Sequence, residues 1–271
     1  MFKVLHFPRP TTCLNIRHLT MTSVLLTGAL LAGPPAQARS LTEVRGSGTL
    51  LLATSADFEP FNGRVGGQFT GFEVELAEAI AARMNLKPVW AVRPFDQLLN
   101  DVNTRQGTID VVIASHAITS TRLKTVDFSQ PHYCTGGVIL TRKGGPQTSQ
   151  ALQGRRIGAE ANSTYLGYLQ KLPFKKQIEV FTTSDAAIQA TATGQVEAVV
   201  TDRFAALNAL NQYPKANLVM SDTLWREQIG MAFAKGNSAL RQAVNTALAQ
   251  IMQDGTYDRI SRKYFGQNVR C

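Results

Sequence analysis

Short apolar runs alternate along this chain with longer stretches in which apolar residues recur every three or four positions. Residues 49–54 predict a buried strand, and 71–84 predict a helix with Phe72, Leu76, Ile80 and Met84 on one face. A second helix is expected over 95–106, closed by Gly107, followed by a strand over 109–114. The Lys143-Gly144-Gly145-Pro146 turn precedes a strand at 156–159, and Ser163 and Thr164 open a helix after it. Further on come a helix over 184–193 ending at Gly194, a strand over 198–201, and a helix capped by Asp202 that runs to about Asn211. Asn237-Ser238 begin a long helix to Gln253 with Leu240, Val244, Leu248 and Ile251 inward, and a last helix covers 256–264. Strand and helix alternating at this spacing predict α/β architecture with largely parallel sheets, in two βα blocks divided near residue 140.

The first forty residues break the pattern. Lys3, Arg9 and Arg17 are offset by no acid, an apolar run extends from Leu19 to Gly33, and Ala36-Gln37-Ala38 supplies a small-x-small cleavage site. Together these predict a secretory signal peptide over 1–38, with Met1 or Met21 as initiator. The run is too short, and too interrupted by Thr and Pro, for a membrane anchor. Leu31-Ala32-Gly33 is followed by Pro34 rather than Cys, so no lipid anchor is expected, and an exported periplasmic protein is.

Charge and cysteines add limits rather than a function. The formal net charge of +9 falls to +6 without the leader, and the basic residues are scattered, so no nucleic-acid partner is expected. After cleavage Cys134 and Cys271 remain, enough for one disulfide in an oxidising compartment. His116 and His132 have no partner at ligand spacing, so neither metal nor cofactor is expected.

Four motifs carry a resemblance. They are Phe58-Glu59-Pro60-Phe61 with Thr70-Gly71-Phe72-Glu73-Val74-Glu75-Leu76-Ala77; Gly107-Thr108-Ile109-Asp110-Val111-Val112-Ile113-Ala114 with Ile118-Thr119 and Arg122; Val126-Asp127-Phe128-Ser129-Gln130-Pro131; and Asp254-Gly255-Thr256-Tyr257 with Lys263-Tyr264-Phe265-Gly266. In this order they resemble the extracellular solute-binding proteins of family 3, the periplasmic amino-acid-binding proteins of ABC importers. The resemblance implies a type II periplasmic-binding-protein fold: two α/β lobes joined by two hinge strands, with the ligand in the interlobe cleft. Lobe 1 would comprise 39–135 and 229–271, and lobe 2 would comprise 136–228. The crossings would fall near 133–137 and 228–230. It also implies a monomer that delivers an amino acid to a membrane permease.

The same resemblance assigns a site. Arg122 would grip the ligand carboxylate, its planar fork suiting bidentate pairing. Asp202, at a βα turn, would pair with the ammonium, beside or in addition to capping its helix. Ser163 and Thr164 would form an anion seat at a helix start. Phe58 and Phe95 would sandwich the side chain, while Phe61 and Phe72 belong to the core. The backbone of Ala114 and Ser115 would meet the ligand. Ala117 stands where relatives usually have Ser or Thr, so that contact is lost or passes to water. Ser55 stands where binders of cationic side chains often carry an acid, which favours a neutral ligand. Asp57 and Glu59, flanking Phe58 in an extended segment, are expected to face away from it. His116 is expected behind the site. The C-terminal return to lobe 1 suggests a Cys134–Cys271 bridge.

Two other functions are weighed. An exported dehydratase of the cyclohexadienyl or arogenate kind shares this fold and needs a poised proton donor. Asp202 and Glu160 are the acids expected near the cleft, with no second catalytic group beside them. A sensory receptor domain would carry an appended signalling region, and the chain ends six residues after Phe265.

Overall fold

The computed structural model describes residues 38–104 and 107–271. The signal peptide expected over 1–38, save its last residue, and the end of the helix expected at Gln106 lie outside the described residues.

The described chain opens on α1 (Leu41–Ser47), which Ser40 and Glu43 close with a reciprocal capping box. β1 (Thr49–Thr54) follows, then the hairpin of β2 (Gly63–Val65) and β3 (Gln68–Thr70), then α2 (Phe72–Arg83). Gly71 joins hairpin to helix at φ 123°, and a Cβ there would strike the Phe61 carbonyl, so only glycine fits. β4 (Lys87–Val92), α3 (Phe95–Thr104), β5 (Val111–Val112) and β6 (Val126–Phe128) complete the first block. β7 (Tyr133–Arg142) leads into β8 (Arg156–Glu160), α4 (Thr164–Lys171), β9 (Gln177–Phe181), α5 (Ser184–Thr193), β10 (Ala198–Asp202), α6 (Arg203–Gln212) and β11 (Leu218–Met220). β12 (Trp225–Ile229) returns the chain to β13 (Ala232–Ala234), α7 (Ser238–Gln253) and α8 (Thr256–Phe265).

Two sheets result. One has the order β4-β1-β5-β13-β6, with β1 parallel to both neighbours. The other has the order β11-β7-β10-β8-β9, with β8 parallel to β9 and β10. β7 and β12 run antiparallel from Tyr133 opposite Ile229 to Gly137 opposite Trp225. At the Ile229 end they adjoin the first sheet, where Ala117 bridges to Ile229 and the Ser129 N–H donates to the Met231 carbonyl. These are the two hinge strands of a two-lobed α/β fold.

The helices bury the expected faces. Phe72, Leu76 and Ile80 of α2 and Leu240, Val244, Leu248 and Ile251 of α7 are all buried, while Met84 is half-buried at the helix end. The strand expected over 109–114 is shorter than its apolar run. Asp110 is drawn to Arg39 and the Leu51 N–H, and Ser115 turns to φ 55°. Cys134 on β7 is disulfide-bonded to Cys271, with Cα atoms 4.8 Å apart, and the Cys134 N–H donates to the Val269 carbonyl. The C-terminus is thus tied to the first hinge strand. No helix among the described residues is long and apolar enough to cross a membrane.

Candidate functional site between the two sheets

The carboxyl ends of parallel strands from both sheets face one another, the position at which open α/β sheets bind ligands. From the first sheet come the loop after β1 with Phe58, the start of α3 with Phe95, and the loop after β5 with Ser115. From the second come Glu160 at the end of β8 and Ser163, Thr164 and Tyr165 at the start of α4. With Arg122 these residues line one small pocket of about 10 Å³. Arg122, Ser163 and Thr164 also line a broader groove leading outward past Ala117.

Arg122 spans the cleft. Its Nη1 donates to the Ala117 carbonyl at 3.0 Å, and its Nη2 donates to the Asn162 carbonyl, beyond β8, at 3.1 Å. The guanidinium lies 5.9 Å from the Phe95 ring centre. Burial lowers its pKa, and the charges of Glu227, Tyr165 and Glu160 oppose that shift. Both bonds go to neutral carbonyl oxygens, which a ligand carboxylate can replace with a stronger bidentate ion pair.

The walls are held from behind. Phe58 stacks on Phe61 at 5.3 Å, and Phe61 stacks on Tyr133 of the first hinge strand at 4.8 Å. Phe61 and Phe72 are fully buried in the core. Phe95 stacks on His116 at 4.4 Å and 10°. Burial depresses the His116 pKa well below the usual imidazole range, so this ring is a neutral backing plate.

Ser163 caps α4, its hydroxyl accepting from the Leu166 N–H at 3.1 Å and donating to the Glu160 carbonyl at 2.7 Å. Asp202 caps α6. One carboxylate oxygen accepts the Phe204 and Ala205 N–H groups at 2.7 and 3.1 Å, and the other accepts the Thr135 hydroxyl. Burial nevertheless pushes its pKa up to about 7, the hydrogen bonds opposing that shift. Asp202, Ser55 and Ala114 are buried and are not on the pocket wall. Ser55 donates instead to the Asn62 side chain at 3.1 Å.

Three groups went unread in the sequence. Glu73, fully buried, accepts the N–H and hydroxyl of Ser115, the Asn62 amide and the His132 ring, all at 2.9 Å. It lies inside a motif already quoted, but nothing local revealed that three loops converge on it. Tyr165 follows Thr164 in the same helical turn. Glu227 on β12 is buried, and its Oε2 has no hydrogen-bond partner among the described residues.

The expectation that Asp57 and Glu59 face away from Phe58 does not hold. Ala56 sits at φ 58°, and Phe58 bridges back to Asn62, so the segment turns rather than extends. Asp57, Phe58 and Glu59 line one crevice of about 230 Å³ with Thr183, Asp185 and Asn208 of the second block. Among the described residues no three His, Cys, Asp or Glu side chains are grouped to hold a metal.

The chain belongs to the bacterial extracellular solute-binding proteins, family 3, whose family model matches residues 50–267. It is 30% identical to the L-cystine-binding protein of Escherichia coli over 84% of this chain and 87% of that one. The lysine/arginine/ornithine-binding periplasmic protein of the same organism is 28% identical, with 82% and 89% covered. Among solved structures, an ancestral arginine-binding protein bound to arginine is 36% identical at a TM-score of 0.77, covering 81% of this chain and 99% of that one. An ancestral amino-acid-binding protein that is a precursor of cyclohexadienyl dehydratase is 31% identical at 0.75, with 83% and 98% covered.

Proposed function

We propose that this protein is the substrate-binding component of an ABC importer, which captures an amino acid in the periplasm and delivers it to a membrane permease. The observation that carries the reading is the small pocket between the two sheets, lined by Arg122, the start of α4 and the rings of Phe58 and Phe95. A zwitterion needs a cation and donors at one end and a carboxylate at the other, because an unpaired buried charge is too costly. Arg122 with Ser163 and Thr164 suits the carboxylate. Asp202, buried and near enough for its charge to act on the Tyr165 phenol of the pocket lining, suits the ammonium. Amino-acid-binding relatives over most of the chain support the same reading.

The lobes are 39–135 with 229–271, and 136–228, and they close by bending at β7 and β12. The protein is exported by the leader over 1–38 and acts as a monomer without cofactor. Two carboxyls raised by burial favour a dehydratase, Asp202 at about 7 and Glu160 at about 8. Buried carboxyls that meet a ligand's cation show the same upward shift while that ligand is absent, so the raised values serve the binding reading equally. A thermal-shift panel of common amino acids tests the proposal. One of them at 100 times its Kd adds about 2.7 kcal/mol of stability. No response from any amino acid, together with turnover of prephenate or arogenate, would replace transport by catalysis.

A further inference from the structure

The pocket and the crevice that shares its Phe58 wall present more carboxylates than the backbone of an amino acid needs. Asp202 suffices for the α-ammonium, which leaves Glu160 and Asp57. Glu160 is 6% exposed, lines the pocket at the end of β8, and receives one backbone N–H, from Ser184. Asp57 approaches from the loop after β1, and its Oδ1 is buried with no hydrogen-bond partner among the described residues. The two carboxylates come from opposite sides of the cleft, near enough that the Asp57 charge acts on Glu160. Among the described residues no lysine or arginine forms an ion pair with either. Arg122 bonds to the carbonyls of Ala117 and Asn162 instead, and a ligand carboxylate would occupy it.

We infer that the pocket takes an amino acid whose side chain ends in an ammonium or guanidinium group, held between Glu160 on one side of the cleft and Asp57 on the other. The inference rests on the amino-acid reading above. Two carboxyls facing each other across a closing interface resist ionising together, and a cation placed between them stabilises both charges. Phe58 lines both the pocket and the Asp57 crevice, so its ring marks the path of an aliphatic stem from Arg122 toward the acids. Burial and the Asp57 charge push Glu160 up to about 8, which is the state of a carboxyl lacking its counter-ion. Ser55 by itself favoured a neutral ligand. The fold supplies the missing acid from the other side of the cleft.

Calorimetry on protein freed of co-purified ligand by unfolding and refolding tests this. The probes are L-arginine, L-lysine, L-glutamine, L-cystine and L-citrulline, the last being the neutral isostere of arginine. Arginine or lysine should bind at least tenfold more tightly than citrulline and glutamine. In Glu160→Gln the cation should lose at least tenfold in affinity while citrulline changes by less than threefold. A smaller cation-to-citrulline ratio, cystine binding more tightly than arginine and lysine, or equal losses in E160Q would overturn the inference while leaving amino-acid capture intact. Should E160Q fail to fold, the wild-type ratio and Asp57→Asn decide by the same limits. Binding of none of the probes would overturn the inference, and the thermal-shift panel of common amino acids then decides whether amino-acid capture stands.

Discussion

Glu73 and Ser115 are joined twice: the Glu73 carboxylate accepts the Ser115 backbone N–H and the Ser115 hydroxyl, both at 2.9 Å. Ser115 holds a positive φ that a non-glycine residue rarely adopts unless its surroundings fix it. The same carboxylate takes Asn62, which in turn accepts the Ala56 N–H at 3.0 Å, and His132, just before the first hinge strand. One buried acid therefore sets the loop after β1, the loop after β5 and the entry to the hinge.

Glu73→Gln should destabilise the protein despite its near-identical shape. Each oxygen now receives two donors, so an amide nitrogen in either orientation faces donors it cannot satisfy. A loss of about 2–4 kcal/mol in urea unfolding is expected. A loss below about 0.5 kcal/mol would mean that the network is not formed.

Removing Arg122 should abolish most ligand binding. In Arg122→Ala the ligand carboxylate loses its partner, at a cost of about 2–5 kcal/mol, or roughly 30-fold or more in Kd. Arg122→Lys keeps the charge but loses the fork, and should fall between wild type and alanine. Asp202→Ala should weaken binding on the same scale, and it also strips the α6 cap, so its Tm falls too. Calorimetry with the best amino acid of the panel checks all three, and affinity kept within threefold would remove that residue from the site.

Breaking the Cys134–Cys271 bond should cost stability rather than recognition. The bridge spans 137 residues of sequence and fastens the C-terminal segment beside β7, away from the pocket lining. Cys134→Ser, or reduction, should lower unfolding stability by about 2–5 kcal/mol. Ligand affinity should stay within about twofold, and a larger drop would tie the bridge to hinge closure.

Stability of the ligand-free protein should fall as pH rises. Asp202 and Glu160 titrate near 4 when unfolded and are pushed up to about 7 and about 8 when folded. The folded state therefore holds their protons more tightly. Its advantage is complete below about pH 4 and is lost as pH climbs to about 8. A tenfold gain in proton affinity is worth about 1.4 kcal/mol, so the fall should reach several kcal/mol. Bound amino acid should flatten it by pairing the carboxylates. Thermal melts from pH 4 to 9 with and without ligand measure the difference, and a Tm that rises with pH in the ligand-free protein would contradict these assignments.

Much of the scaffold was legible in order. The apolar faces of α2 and α7 follow a 3.6-residue period, and that period alone decides which residues point inward. Gly194 in left-handed conformation and the side-chain caps of Ser163, Thr183 and Asp202 mark helix ends through bonds to residues two or three positions away. Such contacts are written locally, so sequence suffices for them. The order of the family motifs likewise fixed the two-lobed topology.

Tertiary structure alone decided what meets across the cleft. Glu160 and Asp57 are about a hundred residues apart in sequence, and only the fold brings them near enough for the charge of one to act on the other. The turn at Ala56 swung Asp57 to the side that an extended strand would have denied it. Glu73 reads as one more acid on an amphipathic helix, yet its environment is assembled from loops ending at Asn62, Ser115 and His132. Sequence determines the faces and caps because those energies are local. Which charges are buried together depends on long-range packing, and no periodicity encodes it.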